Sequence, residues 1–591
     1  MAPFTRTRPS SPPVINFHNP PHAGLIGAIE LTGKATAGWN AVDNAWNGIE
    51  DLYLQVDGGA HIDADWRRGI GDPVGQVTWT AAVTVCLAGD HTVEATITSD
   101  FGSRAHSRIV IEVSVNASVG PNVRVTVDTN PANDRSESSL AADPNKAAHM
   151  VGASKKFWSP PDYGFTLAAY TTVDGGDTWF EAPALTLLGD WGGITDPTVA
   201  FDMQGNAYLV ALAFQPNPPP NDVGPIIGLY VYSSADGIKW NGPKVLYQGY
   251  ADKQDAAGDH GSRSPYKGNV YVAWDPECGF ARTNDSGKTW LGVGNKPVGS
   301  PLGGATSSPE IAVGNDGTVY IVWLAGEASP NIMFVKSTDG GKSFTTPAAV
   351  GTGIKTLQNS VPPLVAPNGF AELPGGTFRV ETFPTVCAGR GGAVVVAWAD
   401  YRDGVSRVYY RQSSDSGKTW SGPTSGQPLL VGANIPASTL HDFHPQLASD
   451  PSGLIGCAFY EFGPMPVLNL INVIAVFSDN NGLSFPSVRT TVTDRPWDPT
   501  IDAPLSHGYP QTTFIGDYFG LAASDLGFFP FWTDTRTGIQ EIFTARIAIK
   551  PCHGGPIYAK GRVDRGPAAK RNRRRNAPDS TGQSIKTVRR R

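Results

Sequence analysis

The chain has 591 residues, among them 68 Gly, 49 Pro and 15 Trp, and 17% of its residues are charged. This composition is too apolar for a disordered chain and too rich in turn-forming residues for a helical bundle, so it favours many short strands joined by tight turns. The length predicts two or more domains or one large closed β architecture. The formal net charge of −7 is uneven, because residues 560–591 carry twelve Lys and Arg against two Asp.

The first segment in chain order, residues 1–24, lacks the apolar stretch of a signal peptide and is predicted to be flexible. No run of 18 apolar residues occurs in the sequence, so no transmembrane segment is predicted. Residues 25–118 then alternate apolar and polar side chains, as in QVTWTAAVTVCL and SRIVIEVSV. A period of two residues between turn signals predicts a separate immunoglobulin-like β-sandwich.

A short motif then recurs six times, with the pattern Ser/Thr-x-Asp-x-Gly-x-Thr/Ser-aromatic, as in TVDGGDTW, TNDSGKTW and SSDSGKTW. Its acidic position holds Asp174, Asp236, Asp285, Asp339 and Asp415, with Asn480 in the sixth copy. An Asp in a tight turn accepts hydrogen bonds from nearby N–H groups, and Gly supplies a positive φ. Six copies cannot form one active site, so we predict a structural role for these residues.

These motifs resemble the Asp boxes of the sialidase-like β-propeller superfamily, over roughly residues 122–550. The resemblance implies an all-β propeller of four-stranded blades, which we assign to residues 119–552. Seven units can be read, and six blades, the number in catalytic sialidases, is the alternative. The last unit supplies three strands, so residues 123–127 are predicted to complete it and close the ring, which would remove exposed sheet edges.

The resemblance also directs attention to the loops opposite the Asp boxes. Two of them, WADYRDG (398–404) and WTDTRTG (532–538), share the pattern Trp-x-Asp-x-Arg-x-Gly. Sialidases hold the carboxylate of their sugar with three arginines, because a guanidinium group pairs well with a planar anion. The resemblance therefore implies substrate-binding roles for Arg402 and Arg536, with Arg263 as the third. The alternative is that Arg402 and Arg536 pair with Asp400 and Asp534 and brace their own turns.

Sialidases use a Tyr nucleophile, a Glu that activates it and an Asp acid/base, which departs from the usual pair of carboxylates. The resemblance implies the following candidates: Tyr518 or Tyr401 as the nucleophile, Glu310 or Glu381 as its base, and Asp196 or Asp517 as the acid/base.

No metal site and no cofactor is predicted. His441 and His444 lie three residues apart in HDFHP, where ordinary loop contacts are favoured over metal binding. The five cysteines are widely spread, odd in number and without a Cys-x-x-Cys pair, so they indicate neither a zinc site nor a disulfide framework.

The C-terminal segment, residues 553–591, is basic and poor in apolar residues and is predicted to be disordered. Its charge suits an anionic polymer or surface as partner, and a solubilising role is the alternative. The family resemblance suggests an extracellular protein, whereas no signal peptide is visible, so the localisation is left open.

Two functions follow from the resemblance. The first is an exo-α-sialidase type of glycoside hydrolase, which removes a terminal acidic sugar from a glycan. The second is a non-catalytic propeller that binds a glycan or a protein, favoured by the seven units and by the absence of the Phe/Tyr-Arg-Ile-Pro motif of sialidases before the first Asp box. Convergence of Arg402 and Arg536 on one site would distinguish the two.

Overall fold

The computed structural model describes residues 13–18, 23–25, 27–36, 39–40, 45–46, 49–56, 61–67, 76–85, 89–99, 103–115, 117–126, 134–159, 164–189, 191–216, 224–303, 307–326, 328–360, 371–431, 439–463, 469–485, 489–501 and 513–549. Over these residues the protein is all-β, with one short helix, α1 (Leu357–Ser360), and 3-10 turns at Val293–Asn295 and Arg390–Gly392. None of the helices in these ranges is long and apolar enough to cross a membrane. The predicted basic tail (553–591) and most of segment 1–24 lie outside the described residues.

The N-terminal part consists of two sheets and a small hairpin. Its strands are β1 (Val14–Phe17), β2 (Ala23–Leu25), β3 (Gly27–Thr36), β4 (Trp39–Asn40), β5 (Ala45–Trp46), β6 (Ile49–Val56), β7 (Ile62–Asp63), β8 (Asp65–Arg67), β9 (Gln76–Val85), β10 (Gly89–Ser99) and β11 (Arg104–Ser114). One sheet has the order β1-β3-β9-β8, the other has the order β2-β11-β10-β6-β7, and β4 pairs with β5. Alternate residues such as Leu31, Leu54, Trp79 and Val93 form one shared core. The period-two pattern therefore produces two sheets packed face to face.

Seven further sheets follow in the described residues. The chain enters them through β12 (Ala117–Val119) and β13 (Val123–Arg124). The first three sheets contain β14 (Arg135–Ala142), β15 (Met150–Ser159), β16 (Gly164–Thr172) and β17 (Phe180–Glu181); β18 (Gly193–Phe201), β19 (Ala207–Phe214), β20 (Ile226–Ser234) and β21 (Asn241–Gln248); and β22 (Asp252–Gly258), β23 (Val270–Asp275) and β24 (Gly279–Thr283).

The next three sheets contain β25 (Ser307–Val313), β26 (Val319–Ala325), β27 (Asn331–Ser337) and β28 (Ala348–Gly351); β29 (Thr385–Ala388), β30 (Val394–Asp400), β31 (Arg407–Ser413) and β32 (Gln427–Pro428); and β33 (His441–Ser449), β34 (Ile455–Phe462), β35 (Ile471–Ser478) and β36 (Thr490–Thr491). The last sheet contains β37 (Gly520–Ser524), β38 (Gly527–Asp534), β39 (Glu541–Thr544) and β40 (Ile547–Ile549). Within the first six of these sheets the strands listed pair antiparallel in meander fashion, whereas in the last sheet β38 pairs antiparallel with β37, β39 and β40.

The first strands of the seven sheets contact one another in sequence, from β14 through β18, β22, β25, β29 and β33 to β37, and β37 in turn contacts β14. The sheets therefore form a closed ring with the first strands around its centre. The ring closes as predicted from the sequence, because β13 pairs with β39 and β12 pairs with β40. Second strands such as β26 (VYIVWLA) are almost wholly buried, since sheets pack against both of their faces.

The register fixes which parts of each sheet share an end of the ring. In the second sheet the start of β18, at Gly193, pairs with the end of β19, and Phe201 at the end of β18 pairs with the start of β19. The start of β19 also pairs with Ser234, the last residue of β20. The turn of the recurring Ser/Thr-x-Asp motif that begins at Ser234 therefore lies at the end of the ring opposite the starts of the first strands.

Candidate functional site

Five of the first strands contain a β-bulge in which a non-glycine residue has a left-handed φ. These residues are Glu137, Asp196, Lys253, Ser308 and His444, with φ between 31° and 54°. A bulge redirects a side chain out of the regular pleat, and left-handed backbone is costly for a residue with a Cβ. All five bulges lie near the starts of their strands, so one end of the ring carries a circle of redirected side chains.

Four of the five redirected side chains line a cavity of about 800 Å³ at that end; we name it the axial cavity. Its wall carries carboxyl groups, cationic groups and aromatic rings. The carboxyl groups belong to Glu137, Asp196, Asp252, Asp275, Glu381 and Asp517, the cations to Lys155, Lys253 and Arg379, and the rings to Phe165, Tyr250, Phe383 and Tyr518. A size of this order is typical of small-molecule sites.

Two of the cations are held over the same aromatic ring. Lys155 Nζ lies 4.6 Å from the centre of the Phe514 ring and 2.7 Å from Glu137 Oε2. Arg379 lies 4.7 Å from the same ring centre and binds Asp517 through two nitrogens, with Nε 2.8 Å from Oδ1 and Nη2 on Oδ2. Charge-assisted pairs of this kind are stronger than neutral hydrogen bonds, so both cations are committed to carboxylates of the wall.

The environments of Glu381 and Asp517 shift the pKa values of the two carboxyl groups in opposite directions. Burial is the largest influence on Glu381 and raises its pKa, and the negative charge of Asp517 raises it further. Burial acts in the same direction on Asp517, but the adjacent Arg379 outweighs it and lowers the pKa of that carboxyl. At neutral pH the cavity therefore holds a carboxyl group that retains its proton more readily than usual beside one that stays ionised.

Tyr518 forms part of the same wall, with Lys253 Nζ 4.5 Å from the centre of its ring. Burial first, and then the surrounding carboxylates with Glu137 foremost, raise the pKa of the Tyr518 phenol well above its usual value. The phenol therefore keeps its proton at neutral pH and needs a base before it can attack a substrate.

The structure thus brings four of the predicted catalytic candidates together at the axial cavity, namely Tyr518, Glu381, Asp196 and Asp517. Glu310 instead lines an adjoining chamber of about 170 Å³, which shares Lys253 and Tyr518 with the cavity. Its two oxygens accept hydrogen bonds from Val386 N at 2.8 Å and Gln446 Nε2 at 2.6 Å. Glu310 therefore ties neighbouring sheets together. Tyr401 does not line the cavity; it is buried and its ring stacks on His441.

None of the three predicted substrate-binding arginines, Arg263, Arg402 and Arg536, lines the axial cavity. Arg402 pairs with Asp400 through Nη2 and lies 4.0 Å from the centre of the Tyr409 ring. Arg536 pairs with Asp534 and also with Asp494. The alternative noted from the sequence describes both ion pairs with the Asp of the same turn, and Arg536 additionally bonds Asp494 and Asn122 outside its turn.

Arg263 lies at the other end of the ring. Its backbone N–H donates to Asn315 O at 3.0 Å, and it lines a small depression with residues of the turn between β25 and β26. That turn follows the end of a first strand, whereas the cavity lies at the starts. Arg263 therefore cannot contribute to the same site.

The residues at the acidic position of the six recurring motifs also lie away from the cavity, in the turns after the third strands. Asp174 Oδ1 accepts hydrogen bonds from Thr178 N at 3.0 Å and Thr172 Oγ1 at 2.8 Å, and Asn480 Oδ1 accepts the corresponding pair from Ser484 N and Ser478 Oγ. Equivalent contacts occur at Asp236, Asp285, Asp339 and Asp415. These hydrogen bonds lower the pKa of Asp174 despite partial burial.

The two histidines of HDFHP take separate positions. His441 Nδ1 accepts a hydrogen bond from Ser406 N at 3.2 Å, and His444 occupies the bulge of β33 with a φ of 47°. Burial lowers the pKa of each imidazole to about 4. Within the described ranges no group of three or more His, Cys, Asp or Glu is arranged to hold a metal ion, and Cys278, Cys387 and Cys457 are buried.

Several cavity residues were not predicted from the sequence, although one sequence pattern would have identified some of the residues that form the cavity wall. In three units the left-handed residue directly precedes a proline, in Asp196-Pro197, Ser308-Pro309 and His444-Pro445. Phe383-Pro384 occupies the corresponding place before β29, and Phe383 also lines the cavity. Lys155, Arg379, Asp252 and Tyr250 have no such repeated signature.

No protein-family model matches the sequence, and comparison with curated proteins finds no match either. Solved structures with a similar backbone include a protein of unknown function from Dyadobacter fermentans, with 15% identity, a TM-score of 0.42 and coverage of 73% of this chain and 99% of that one. A sialidase from Streptococcus pneumoniae has 10% identity, a TM-score of 0.38 and coverage of 70% and 89%. A lectin from Burkholderia pseudomallei has 13% identity, a TM-score of 0.38 and coverage of 67% and 95%. Similarity this distant assigns neither an activity nor a ligand to this chain.

Proposed function

We propose that the axial cavity is the active site of a glycoside hydrolase that releases a terminal sugar from a glycan. The observation that carries this proposal is the pair of carboxyl groups, Glu381 and Asp517, whose pKa values are driven apart within one cavity. Glycoside hydrolysis generally needs one carboxylic acid to protonate the leaving oxygen and one ionised carboxylate to meet the positive charge that develops on the sugar ring.

In this proposal Glu381 donates its proton to the glycosidic oxygen as the bond to the leaving group breaks. Asp517, held in place by Arg379, stabilises the positive charge on the ring. The proton lost by Glu381 is later recovered from the water that completes hydrolysis. Both carboxyl groups come from segments just before first strands, so the packing of the ring fixes their separation.

A narrower version is the sialidase type of reaction on an acidic sugar, with Tyr518 as nucleophile. It requires a base for the phenol, for which Glu137 is the carboxylate that acts most strongly on Tyr518. It also requires a cationic site for the sugar carboxylate, which Arg402 and Arg536 do not form, because each is paired with an Asp of its own motif away from the cavity. Arg379 is the arginine that lines the cavity in the described residues, and Asp517 already engages two of its nitrogens.

The second candidate function is glycan binding without hydrolysis. It is favoured by the same ion pair, because a carboxylate tied to arginine through two hydrogen bonds is a weak nucleophile. In that case the cavity would bind a terminal sugar through its carboxyl groups and through the rings of Tyr250 and Phe383. Propellers host both kinds of function, so the site rather than the fold must decide.

The test is release of a fluorogenic leaving group from a panel of glycosides that includes an α-sialoside, neutral hexosides and pentosides, and amino sugars. Turnover by the native protein should be lost in Glu381→Gln and strongly reduced in Asp517→Asn, while Arg263→Ala at the opposite end of the ring stays active. Absence of turnover on the whole panel, with calorimetric binding of a glycan, would favour the binding function. Activity that survives Glu381→Gln would contradict the assignment of the acid.

We propose that the seven sheets are the blades of a seven-bladed sialidase-like propeller with Asp-box turns, and that the N-terminal sandwich is immunoglobulin-like. The successive contacts of the seven first strands support the first part, and the two face-to-face sheets support the second.

A further inference from the structure

Two carboxyl groups lie side by side in the interior of the sixth sheet. Asp442 of β33 is directly paired with Glu461 of β34 in the antiparallel register, so the two side chains project from the same face of the sheet. Asp442 is 1% exposed and Glu461 is 4% exposed. We name these two residues the carboxyl pair. Like charges opposed in this way repel each other, and burial removes the water that would screen them.

Each member of the carboxyl pair has one oxygen near an arginine. Arg407 of β31, in the fifth sheet, places its Nη1 3.8 Å from Asp442 Oδ2. Arg489, which lies just before β36, binds Glu461 Oε1 through Nη2. The two arginines therefore offset negative charge at one oxygen of each carboxyl group.

The other two oxygens of the carboxyl pair have no hydrogen-bond partner among the described residues. Asp442 Oδ1 and Glu461 Oε2 are both inaccessible to solvent, and no N–H or O–H group donates to either of them. Leaving a buried acceptor without a partner is costly, and the cost rises when the acceptor is charged. Because the two side chains are direct neighbours, a single proton held between these oxygens would satisfy both.

We propose that Asp442 and Glu461 share one proton between Oδ1 and Oε2, and that loss of this proton at alkaline pH weakens the contact between the fifth and sixth sheets. The two sheets meet at this point, because Asp442 N donates to Ser406 O at 2.9 Å and Ser406 Oγ donates to Asp442 O at 2.5 Å. With the proton in place, the pair carries one negative charge against the positive charges of Arg407 and Arg489. Release of the proton to solvent leaves two adjacent negative charges in the interior.

The environment of the carboxyl pair favours retention of the proton. Burial is the largest influence on Asp442, and together with the charge of Glu461 it raises the pKa of Asp442 to about 8 against the opposing effect of both arginines. Burial also raises the pKa of Glu461. The unfolded chain loses this proton near the ordinary carboxyl pKa, so the stabilisation it gives is fully present below that pKa and is lost as the pH rises through the raised value.

Three further polar residues lie around the carboxyl pair. His441 precedes Asp442 in β33, and burial lowers the pKa of its imidazole to about 4, so it is uncharged at neutral pH. Asn472 of β35, the residue opposite Glu461, has no ionisable group. Asp403 lines the same pocket of about 170 Å³ between the two sheets as Asp442, but Asp403 is exposed and has access to water. We therefore assign the retained proton to the carboxyl pair, and Asp403 serves as a control.

The test counts the protons released on unfolding. In weakly buffered urea at neutral pH, the native protein should release about one proton more than Asp442→Asn or Glu461→Gln. In each variant an amide replaces one carboxyl group and can donate to the other without a titrating proton. Asp403→Asn, the matched control, should release as many protons as the native protein. In infrared spectra of the folded proteins, the C=O band of protonated carboxyl groups should be weaker in both pair variants and unchanged in the control.

The same variants test the effect on the contact between the sheets. Between about pH 6 and about pH 9 the melting temperature of the native protein should fall by at least roughly 2 °C relative to that of Asp442→Asn. Hydrogen exchange in β31 and β33, corrected for its intrinsic rise with pH, should accelerate over this range in the native protein and not in the variant.

Proton release by Glu461→Gln equal to that of the native protein would overturn the sharing, because Asp442 would then hold the proton by itself. Equal release by Asp442→Asn would overturn it as well, because the proton would then belong to Glu461 or to another group. A difference in melting temperature that stays constant with pH would overturn the effect on the sheets. Either pair variant decides the question if the other fails to fold.

Discussion

Asp534 accepts hydrogen bonds from Nε and Nη2 of Arg536 at 2.9 and 2.6 Å, and Asp400 accepts one from Nη2 of Arg402 in the corresponding turn. In both turns the indole N–H of the preceding Trp, Trp532 or Trp398, also donates to the Asp. Asp534 is fully buried and the Arg536 side chain is 6% exposed. The motif is therefore a structural brace that recurs in two sheets.

Replacing Asp534 by Ala is expected to lower the free energy of unfolding by about 3–5 kcal/mol, because it leaves the buried Arg536 without its main partner. Urea denaturation followed by Trp fluorescence measures the change. The double variant Asp534→Ala/Arg536→Met is the control, and it should be more stable than Asp534→Ala alone. A single variant as stable as the native protein would show that the pair contributes nothing.

The Asp-box turns offer a matched comparison within the chain. Asp339 accepts hydrogen bonds from Ser343 N at 2.9 Å and Ser337 Oγ at 2.8 Å, and Asn480 makes the equivalent contacts in the sixth copy. Asp339→Ala should therefore lower the free energy of unfolding by about 1–3 kcal/mol, whereas Asp339→Asn should lose much less. Equal losses in the two variants would mean that the carboxylate charge, and not the hydrogen-bond pattern, stabilises the turn.

The same turn predicts a pH dependence. Its hydrogen bonds lower the pKa of Asp339 although partial burial opposes them. A lowered pKa in the folded state stabilises the protein above the ordinary pKa of Asp, and this contribution is lost as the pH falls through the lowered value. The difference in melting temperature between the native protein and Asp339→Asn should therefore shrink on acidification, and a constant difference would contradict it.

Hydrolysis is expected to depend on pH through Glu381. Because burial and Asp517 raise its pKa, the protonated acid persists above the usual carboxyl range, and activity should fall as the pH rises through the raised value. Asp517→Asn removes one cause, so the alkaline limb of the residual activity should move to lower pH by roughly 1 unit. The pH profile of Arg263→Ala serves as the reference. An alkaline limb that does not move in Asp517→Asn would show that Asp517 does not influence the pKa of Glu381.

The bulge at Ser308 predicts a backbone effect. Its φ of 54° suits glycine and is most costly for a β-branched residue. Ser308→Gly should leave the melting temperature almost unchanged, and Ser308→Val should lower the free energy of unfolding by about 1–3 kcal/mol. Thermal and urea unfolding of the two variants test this, and a well-tolerated valine would show that the bulge relaxes.

Much of the ring could be predicted from the sequence because its information is periodic. The turns of the recurring Ser/Thr-x-Asp motif, the buried second strands and the pairing of Val123 and Arg124 with β39 each follow from a local pattern. The position of Asp196, Glu381, Asp517 and Tyr518 around one centre also follows, since each occurs just before or within the start of a first strand. Because the first strands surround one centre, residues at equivalent positions in successive units lie near one another in the folded protein.

The charge pairing within the site could not be predicted in the same way. Arg402 and Arg536 carry the conspicuous motif, yet an Asp two residues earlier forms an ion pair with each guanidinium group. Lys155 and Arg379, which do reach the cavity, come from a second strand and from the segment before β29, and no repeat marks them. Asp517 is 138 residues from Arg379 in the sequence, and Glu137 occupies the bulge of β14 beside Lys155 of the paired strand β15, so the folded structure is needed to reveal both pairs.

The last sheet joins the start and the end of the part of the chain that forms the ring, since β12 and β13 pair with β40 and β39. During synthesis the ribosome has produced almost the whole ring before β39 and β40 exist, so the nascent chain must hold six sheets with an open seam. The opening strands β12 and β13 wait without a partner over more than four hundred residues of elongation. Protection of that seam, by a chaperone or by slow release from the ribosome, would govern the yield of folded protein more than the stability of any one sheet.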